Sequence, residues 1–168
     1  EAASAGGRVH VALGNHEAMN VLGDLRYVDP GEYAAYAADE DAAERAREQA
    51  AFLARQPDAT AADFERLFPP GYFGHRKLLG PDGRYGRWLL ELPTAVKVND
   101  TIYMHGGPST VLHGRGLERL NDDYRAALRA YLAAESELRA AGLLHNEDSY
   151  ARRPDAAAAR VAALPPGD

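Results

Sequence analysis

Asn15 and His105 are two side chains whose types and positions suit binding of a metal ion. Each follows a short apolar run: RVHVAL and Gly14 precede Asn15, and TIYM precedes His105. An amide oxygen and a neutral imidazole nitrogen are both ligands for divalent ions such as Mn²⁺, Fe²⁺ or Zn²⁺. Gly106 and Gly107 follow His105 and carry no side chain that would crowd an approaching anion. The sequence therefore predicts that Asn15 and His105 share one site.

His16 and Glu17 add an imidazole that exchanges protons near neutral pH and a neighbouring carboxylate. Together with Asn20 they come close to the zinc-protease pattern His-Glu-x-x-His, in which two histidines one helical turn apart hold zinc. Asn20 stands where that pattern needs its second histidine. The zinc-protease interpretation is therefore not favoured.

Strand ends have to bring these side chains together. Residues 8–13 alternate and are rich in Val, which predicts a strand that stops at Gly14. Residues 94–98 and 101–105 read as a β-hairpin, because Asn99-Asp100 tolerates the left-handed backbone of a tight turn. Open α/β sheets bind ligands at the carboxyl ends of their strands. We therefore expect Asn15 and His105 to converge on one cleft.

Most of the remaining chain is predicted to be helical. Asp29 caps a long Ala-rich helix that runs from Pro30 to about Arg55, and Thr60 caps a second helix. Two short helices follow within residues 70–92. Asn121 is predicted to cap a helix over residues 122–141, which Gly142 closes. The helices between the two polar motifs form an insertion at about residues 30–90.

The composition is typical of one globular domain: 168 residues, 46% hydrophobic and 26% charged. A net charge of −6 argues against a nucleic-acid partner or an anionic membrane surface. The absence of cysteine excludes disulfides, thiolate metal sites and cysteine nucleophiles. No apolar run approaches the roughly 20 residues of a membrane span. We expect a cytoplasmic protein or, behind a signal peptide, a periplasmic one.

The runs LGNHEAMN and TIYMHGG, with the distance between them, resemble the phosphoprotein-phosphatase type of calcineurin-like metallophosphoesterases. The longer run GNHEAMNVLGDLRYV is most similar to the bacterial branch of Shewanella-like protein phosphatases. The resemblance extends from Val9 to about Leu144. It implies an α/β fold, part of a two-sheet αββα sandwich, with the helical insertion between the strand before GNHE and the hairpin before HGG. It also implies a phosphorylated protein or a small phosphoester as substrate, and it favours phosphotyrosine among the phosphorylated residues.

Position by position, the resemblance implies a role for each motif residue. Asn15 and His105 would be ligands of one metal in a centre of two divalent ions (Mn, Fe or Zn), and His16 would be the general acid that protonates the leaving oxygen. Four residues would support these three by orienting the loop or leaving room for substrate: Gly14, Glu17, Gly106 and Gly107. Two divalent ions can activate water and neutralise phosphoryl oxygens, so the implied reaction is phosphoester hydrolysis.

The family pattern also contains motifs that these 168 residues lack. Asp-x-His and Gly-Asp-x-x-Asp-Arg-Gly should precede GNHE, and a Gly-His motif should follow HGG; together they supply the other ligands. Two neutral ligands without a carboxylate hold hard divalent ions poorly. We therefore expect a central piece of a phosphatase that is inactive or nearly so by itself, with a partial domain over residues 1–144 and a loosely ordered tail over 145–168. Strands without neighbours would leave an unpaired edge near Val9 to Leu13.

Two arginines are candidates for binding the substrate phosphate. Arg26 follows the first motif, although surface ion pairing is the favoured alternative for it. Arg152 lies in NEDSYARRP, which loosely resembles a family segment that carries a phosphate-binding arginine. A function of another class stays open: a non-catalytic, Ala-rich helical interaction module, or the remnant of an enzyme, in which GNHE and HGG are coincidental loops.

Overall fold

Helices dominate the computed structural model, which describes residues 1–164. Its helices are α1 Asn15–Leu22, α2 Pro30–Tyr33, α3 Ala42–Arg55, α4 Ala61–Leu67, α5 Tyr72–Leu79, α6 Arg84–Glu91, α7 Leu117–Ala140 and α8 Arg153–Ala162. Its strands are β1 Ala95–Val98 and β2 Thr101–Met104, which pair in one antiparallel sheet. The described part of the chain is therefore mixed α/β and mostly helical. None of its helices is long and apolar enough to cross a bilayer.

The β1–β2 hairpin confirms the sequence prediction for residues 94–105. Ala95 pairs with Met104 and Val98 pairs with Thr101, so the two strands are joined by Asn99 and Asp100. Asn99 has a φ of 53°, the left-handed conformation that asparagine tolerates better than most residues. The hairpin places His105 directly after the end of β2.

The strand predicted for residues 8–13 does not form. This segment has no regular secondary structure, and its tie to the hairpin region is the Leu13 N–H, which donates to the Pro93 carbonyl at 2.8 Å. Val9 is 75% exposed and Val11 is 39% exposed. A strand needs a partner along most of its length, and none lies beside this segment in residues 1–164. The apolar side chains near Val9 are exposed as expected, but in an irregular segment and not in an unpaired edge strand.

The long helix predicted from Pro30 to Arg55 is divided. Asp29 caps α2 as predicted, but a 3₁₀ stretch, Ala34–Asp39, follows it before α3 begins. Asp41 caps α3 by accepting from the N–H groups of Ala43 and Glu44. The Glu40 side chain is 9% exposed and accepts from the N–H groups of Gly71 and Phe73, both at 3.0 Å, at the start of α5. The helix is divided here because the carboxylates of Glu40 and Asp41 satisfy backbone donors at the starts of α5 and α3.

The helix predicted to start after Asn121 starts five residues earlier, at Leu117, with Gly116 as its N-cap. Asn121 lies inside α7 with its side chain 9% exposed against β1. Its amide oxygen accepts from the N–H groups of Thr94 and Ala95 at 2.9 and 3.1 Å. Its amide nitrogen donates to the Ala95 carbonyl at 2.9 Å. Asn121 therefore caps no helix but fastens the hairpin to α7.

Buried side chains form separate clusters, and one of them lies under the GNHE segment. This cluster joins α1 to α6 and α7 and comprises Leu13, Ala18, Val21, Leu89, Leu90 and Leu128. A second, aromatic cluster fills the helical insertion and comprises Phe52, Phe64, Phe68 and Phe73. The predicted insertion at about 30–90 coincides with α2 to α6. The first cluster positions α1, and with it Asn15 and His16.

The segment after His145, expected to be loosely ordered, contains a short 3₁₀ turn and α8 in its described part. Ala156 of α8 is buried with Leu138 and Leu144. Arg153 is 7% exposed and reaches α1 and α7. These contacts pack α8 against α7. The last part of the predicted tail, residues 165–168, lies outside the described residues.

Candidate functional site

Asn15 and His105 line the same cleft, of about 550 Å³. Asn15 is the first residue of α1, and His105 follows β2. Leu13 and Met104 lie in the wall between them, and the cleft is completed by Gly14, Thr94, Gly106, Gly107, Leu112, Leu120 and Tyr124. The prediction that these two side chains meet in one cleft is confirmed. Their role as metal ligands stays a prediction.

Gly14, the first residue of GNHE, lies close to Glu17 and His105. A Cβ atom built on Gly14 would lie 2.3 Å from a Glu17 carboxylate oxygen and 3.3 Å from His105 Nδ1. Glu17 and His105 therefore fill the space that a side chain at position 14 would take. Glu17 lies in the first turn of α1, where the helix dipole favours a negative charge. This close packing joins the start of α1 to the end of the hairpin.

Gly106 and Gly107 border open space. A Cβ atom built on either residue meets no other atom within 4 Å, and neither has a positive φ. Packing and backbone conformation therefore do not require glycine at these positions in the described structure. The open space is on the side of His105 where the sequence analysis expects substrate.

His16 is not among the residues that line the cleft, although it follows Asn15 directly. It is exposed on the first turn of α1, and its ring stacks on Tyr27 with 5.1 Å between ring centroids and 17° between ring planes. Sequence reasoning did not identify Tyr27. The sequence signal that could have found it was the Gly23-Asp24 pair. This pair ends the eight-residue helix α1 and turns the chain back toward the start of that helix.

Two arginines from distant parts of the chain hold the other end of α1. Arg76 of α5 donates to the Asn20 carbonyl, and Arg153 of α8 donates to the Leu22 carbonyl at 3.0 Å. The last carbonyls of a helix have no partner within the helix, so these arginines satisfy them. Burial lowers the pKa of Arg76, and the charges of Arg139 and Arg153 lower it further. Arg76 therefore binds a helix end and makes no ion pair with a carboxylate of residues 1–164.

Glu135 of α7 balances this buried positive charge. Arg153 donates to both of its carboxylate oxygens, at 3.1 and 3.3 Å, and Arg139 donates to one of them at 2.8 Å. Glu135 and Arg153 are 8% and 7% exposed, so their charges depend on each other. Since Arg153 also binds Leu22, the network fixes α1 relative to α7 and α8.

Neither arginine proposed for phosphate binding lines the cleft. Arg26 makes two hydrogen bonds to the carboxylate of Asp24, at 2.8 and 2.9 Å, which confirms ion pairing as its favoured role. Arg152 lies on the surface with its Nε 3.9 Å from an Asp148 oxygen. The neighbouring Arg153, and not Arg152, is the arginine of this segment that reaches α1.

The cleft supplies donor atoms that fit one divalent ion only in part. The Asn15 amide oxygen and the His105 imidazole suit Mn²⁺, Fe²⁺ or Zn²⁺. No aspartate or glutamate lines the cleft, and residues 1–164 contain no group of three or more His, Cys, Asp or Glu that could hold a metal. Burial raises the pKa of Tyr124, so its phenol stays protonated at neutral pH and can donate a hydrogen bond from the wall.

Comparison with curated proteins finds relatives that are phosphatases by name. The chain is 30% identical over 141 residues to Shewanella-like protein phosphatase 2 of Arabidopsis thaliana, across 78% of this chain and 36% of the relative. It is 25% identical over 122 residues to Shewanella-like protein phosphatase 1 of Plasmodium berghei (strain Anka), across 72% of this chain and 25% of the relative. The chain thus spans about a third and a quarter of the length of these two relatives.

No family model matches the chain, and no solved structure matches it. The relationship therefore rests on the two named relatives and on the cleft that joins the GNHE and HGG motifs. The chain is a distant homologue of proteins named Shewanella-like protein phosphatase, and this homology supports its place in a phosphoprotein phosphatase family.

Proposed function

We propose that this chain contributes part of the active site of a metal-dependent protein phosphatase. The observation that carries the proposal is that Asn15 and His105, 90 positions apart in the sequence, line one cleft beside the open space of Gly106 and Gly107. The names of the two relatives support phosphorylated proteins as substrates. The calcineurin-like site, the bacterial branch and the two-sheet αββα sandwich of the whole domain are parts of the same proposal.

Asn15 and His105 would hold one of two divalent ions, Mn, Fe or Zn. Such ions act as Lewis acids on phosphoryl oxygens and lower the pKa of water. Because both ligands are uncharged, this chain by itself binds a divalent ion weakly and has little or no activity. The full set of ligands requires carboxylates that the cleft does not contain.

His16 would supply the proton that the leaving oxygen takes when the phosphoester bond breaks. It is exposed at the first turn of α1, directly after the cleft residue Asn15, which supports this role. Glu17 would orient the segment by packing over Gly14. Gly106 and Gly107 would leave room for the phosphoryl group. General acid catalysis of this kind contributes on the order of 10²- to 10⁴-fold to a rate.

Paramagnetic broadening by Mn²⁺ tests the metal site on this chain. We expect millimolar Mn²⁺ to broaden the NMR signals of the Asn15 side-chain amide and the His105 imidazole first, and His145, which follows the far end of α7 and is not in the cleft, much less. The double variant Asn15→Ala, His105→Ala should lose the selective broadening. Equal broadening at His105 and His145 in the wild type would contradict the site.

Hydrolysis of an aryl phosphate by the full-length gene product with Mn²⁺ tests the activity. We expect His16→Ala to lower kcat roughly 100-fold or more, because it removes the general acid. His113→Ala is the matched control and should keep the wild-type rate. If His16→Ala is as active as the wild type, the proton-donor role is wrong; if the wild type is inactive too, the non-catalytic interaction module is the better interpretation.

A further inference from the structure

The chain reverses after α1 and brings Tyr27 back to the first turn of that helix. Gly23 has a φ of 75° and donates its N–H to the Asn20 carbonyl, and the Asp24 N–H donates to the Met19 carbonyl at 2.9 Å. This is a common way for a helix to end, and it redirects the chain sharply. Four residues after Gly23, the ring of Tyr27 stacks on the ring of His16.

The loop that carries Tyr27 is fixed although the tyrosine ring is exposed. The Asp24 side chain is 7% exposed and forms a bidentate ion pair with Arg26, and Arg26 also lies 5.7 Å from the ring centre of Tyr150. The Val28 N–H donates to the Leu25 carbonyl at 3.0 Å. These contacts, on both sides of Tyr27, hold its backbone. Its ring therefore has a defined place beside α1.

The imidazole of His16 makes no hydrogen bond and no ion pair with any of residues 1–164, so its contact with Tyr27 limits its orientation. We propose that Tyr27 is a positioning residue that holds the His16 ring in one orientation for proton transfer. This proposal rests on the proposed function, in which His16 is the general acid. The stack itself can be measured without any activity.

The physical effect of the stack follows from the freedom of a histidine side chain. An exposed imidazole samples about three χ1 wells and about two χ2 orientations, roughly six in all. Parallel stacking on the Tyr27 ring selects among these orientations and covers one face of the imidazole. If one orientation is productive, loss of the stack lowers the productive fraction by roughly three- to sixfold.

NMR of this chain tests the stack directly. In the wild type, the ring current of Tyr27 should shift the carbon-bound ring protons of His16 upfield. We expect Tyr27→Leu to abolish this shift and Tyr27→Phe to retain it, because phenylalanine keeps the aromatic face. Tyr85→Leu, at a tyrosine that is 40% exposed on α6, is the matched control and should leave the His16 signals unchanged. Unchanged His16 signals in Tyr27→Leu would overturn the proposal.

Kinetics of the full-length gene product test the consequence. Tyr27→Leu should lower kcat about three- to sixfold with KM unchanged, and Tyr27→Phe should keep the wild-type kcat. A Tyr27→Leu variant that loses the NMR shift but keeps the wild-type kcat would overturn the positioning role. The proposed function fails by a different result, wild-type kcat in His16→Ala, so the two failures are distinguishable.

Discussion

Individual side chains at the cleft divide into those that pack and those that are free to meet a ligand. A side chain at Gly14 would displace the Glu17 carboxylate and crowd His105, whereas Gly106 and Gly107 adjoin open space. Asn15 and His105 line the cleft, while His16 is turned to Tyr27. A substitution at Gly107 should therefore affect the binding of a ligand without affecting the fold.

Gly107→Ala tests this separation of packing from function. We expect an unchanged Tm, since the added methyl group meets no atom within 4 Å. We expect kcat/KM of the full-length gene product toward an aryl phosphate to fall by ten- to a hundredfold, on the order of what misplacement of a reacting group costs. Gly116→Ala, at an equally open position outside the cleft, should leave kcat/KM unchanged and lower Tm only slightly, because alanine is a poorer N-cap of α7 than glycine. A drop in Tm for Gly107→Ala would contradict the assignment.

His75 is a buried residue whose protonation should limit stability in acid. It is 2% exposed between the rings of Tyr33 and Tyr36, and its Nδ1 has no partner within residues 1–164. Burial, together with the charge of Arg76, lowers the pKa of His75 from 6.5 to about 4. In the unfolded chain the imidazole takes up a proton below its ordinary pKa, so protons favour the unfolded state.

The resulting pH dependence has a definite sign. The contribution of His75 to stability is complete above pH 6.5 and is lost as the pH falls from 6.5 to about 4. A shift of this size corresponds to about 3 kcal/mol. Urea unfolding between these pH values should show a smaller loss of stability for His75→Phe than for the wild type. Parallel pH curves for the two proteins would show that His75 is not buried in its neutral form.

At the scale of elements, side chains from distant helices and not local sequence hold the site together. Arg76 and Arg153 satisfy the last carbonyls of α1, and the buried Glu135 holds Arg153 in place. Asn121 of α7 fastens the start of β1. The two halves of the cleft, α1 and the hairpin, are thus both attached to α7.

Asn121→Ala should loosen the hairpin that carries His105. The substitution leaves the N–H groups of Thr94 and Ala95 and the Ala95 carbonyl without their partner. We expect a loss of about 3 kcal/mol in the free energy of unfolding and faster amide exchange in β1. Asp122→Ala, the next residue on the exposed side of α7, should cost less than about 0.5 kcal/mol. Similar losses in the free energy of unfolding for Asn121→Ala and Asp122→Ala would show that the hydrogen bonds of Asn121 do not hold the hairpin.

At the scale of the whole molecule, the helix that begins at GNHE packs into the interior, whereas most of the segment before it is exposed and unpaired. Val21 is 1% exposed within the cluster that joins α1, α6 and α7. Val9, ahead of the same helix, is 75% exposed. The stability of residues 1–164 therefore depends on the helical side, including Leu13 at the end of segment 8–13, and not on Val9.

Two matched substitutions measure this asymmetry. Val21→Ala should lower the free energy of unfolding by about 2 kcal/mol, because it leaves a cavity in the core. Val9→Ala should change it by less than about 0.5 kcal/mol, since the side chain already contacts mostly solvent. Urea unfolding of the two variants gives both values. A cost at Val9 that matches the cost at Val21 would mean that residues 8–13 are packed in solution.

The sequence by itself determined the features that depend on neighbouring residues. The Asp29 and Thr60 caps and the Asn99 turn each follow from a few adjacent residues, because their hydrogen bonds and backbone angles are local. The GNHE and HGG motifs also indicated that Asn15 and His105 would line one cleft.

Only the tertiary structure decided which distant side chains complete these elements. Asn121 was predicted to cap a helix, but its side chain binds the backbone of β1. The region from Pro30 to Arg55 was predicted to be one helix, but it is divided at Glu40, whose carboxylate accepts hydrogen bonds from the start of α5. Residues 8–13 alternate like a strand but pair with none. Hydrogen bonds between residues far apart in sequence depend on which surfaces meet after folding, and no local pattern records that.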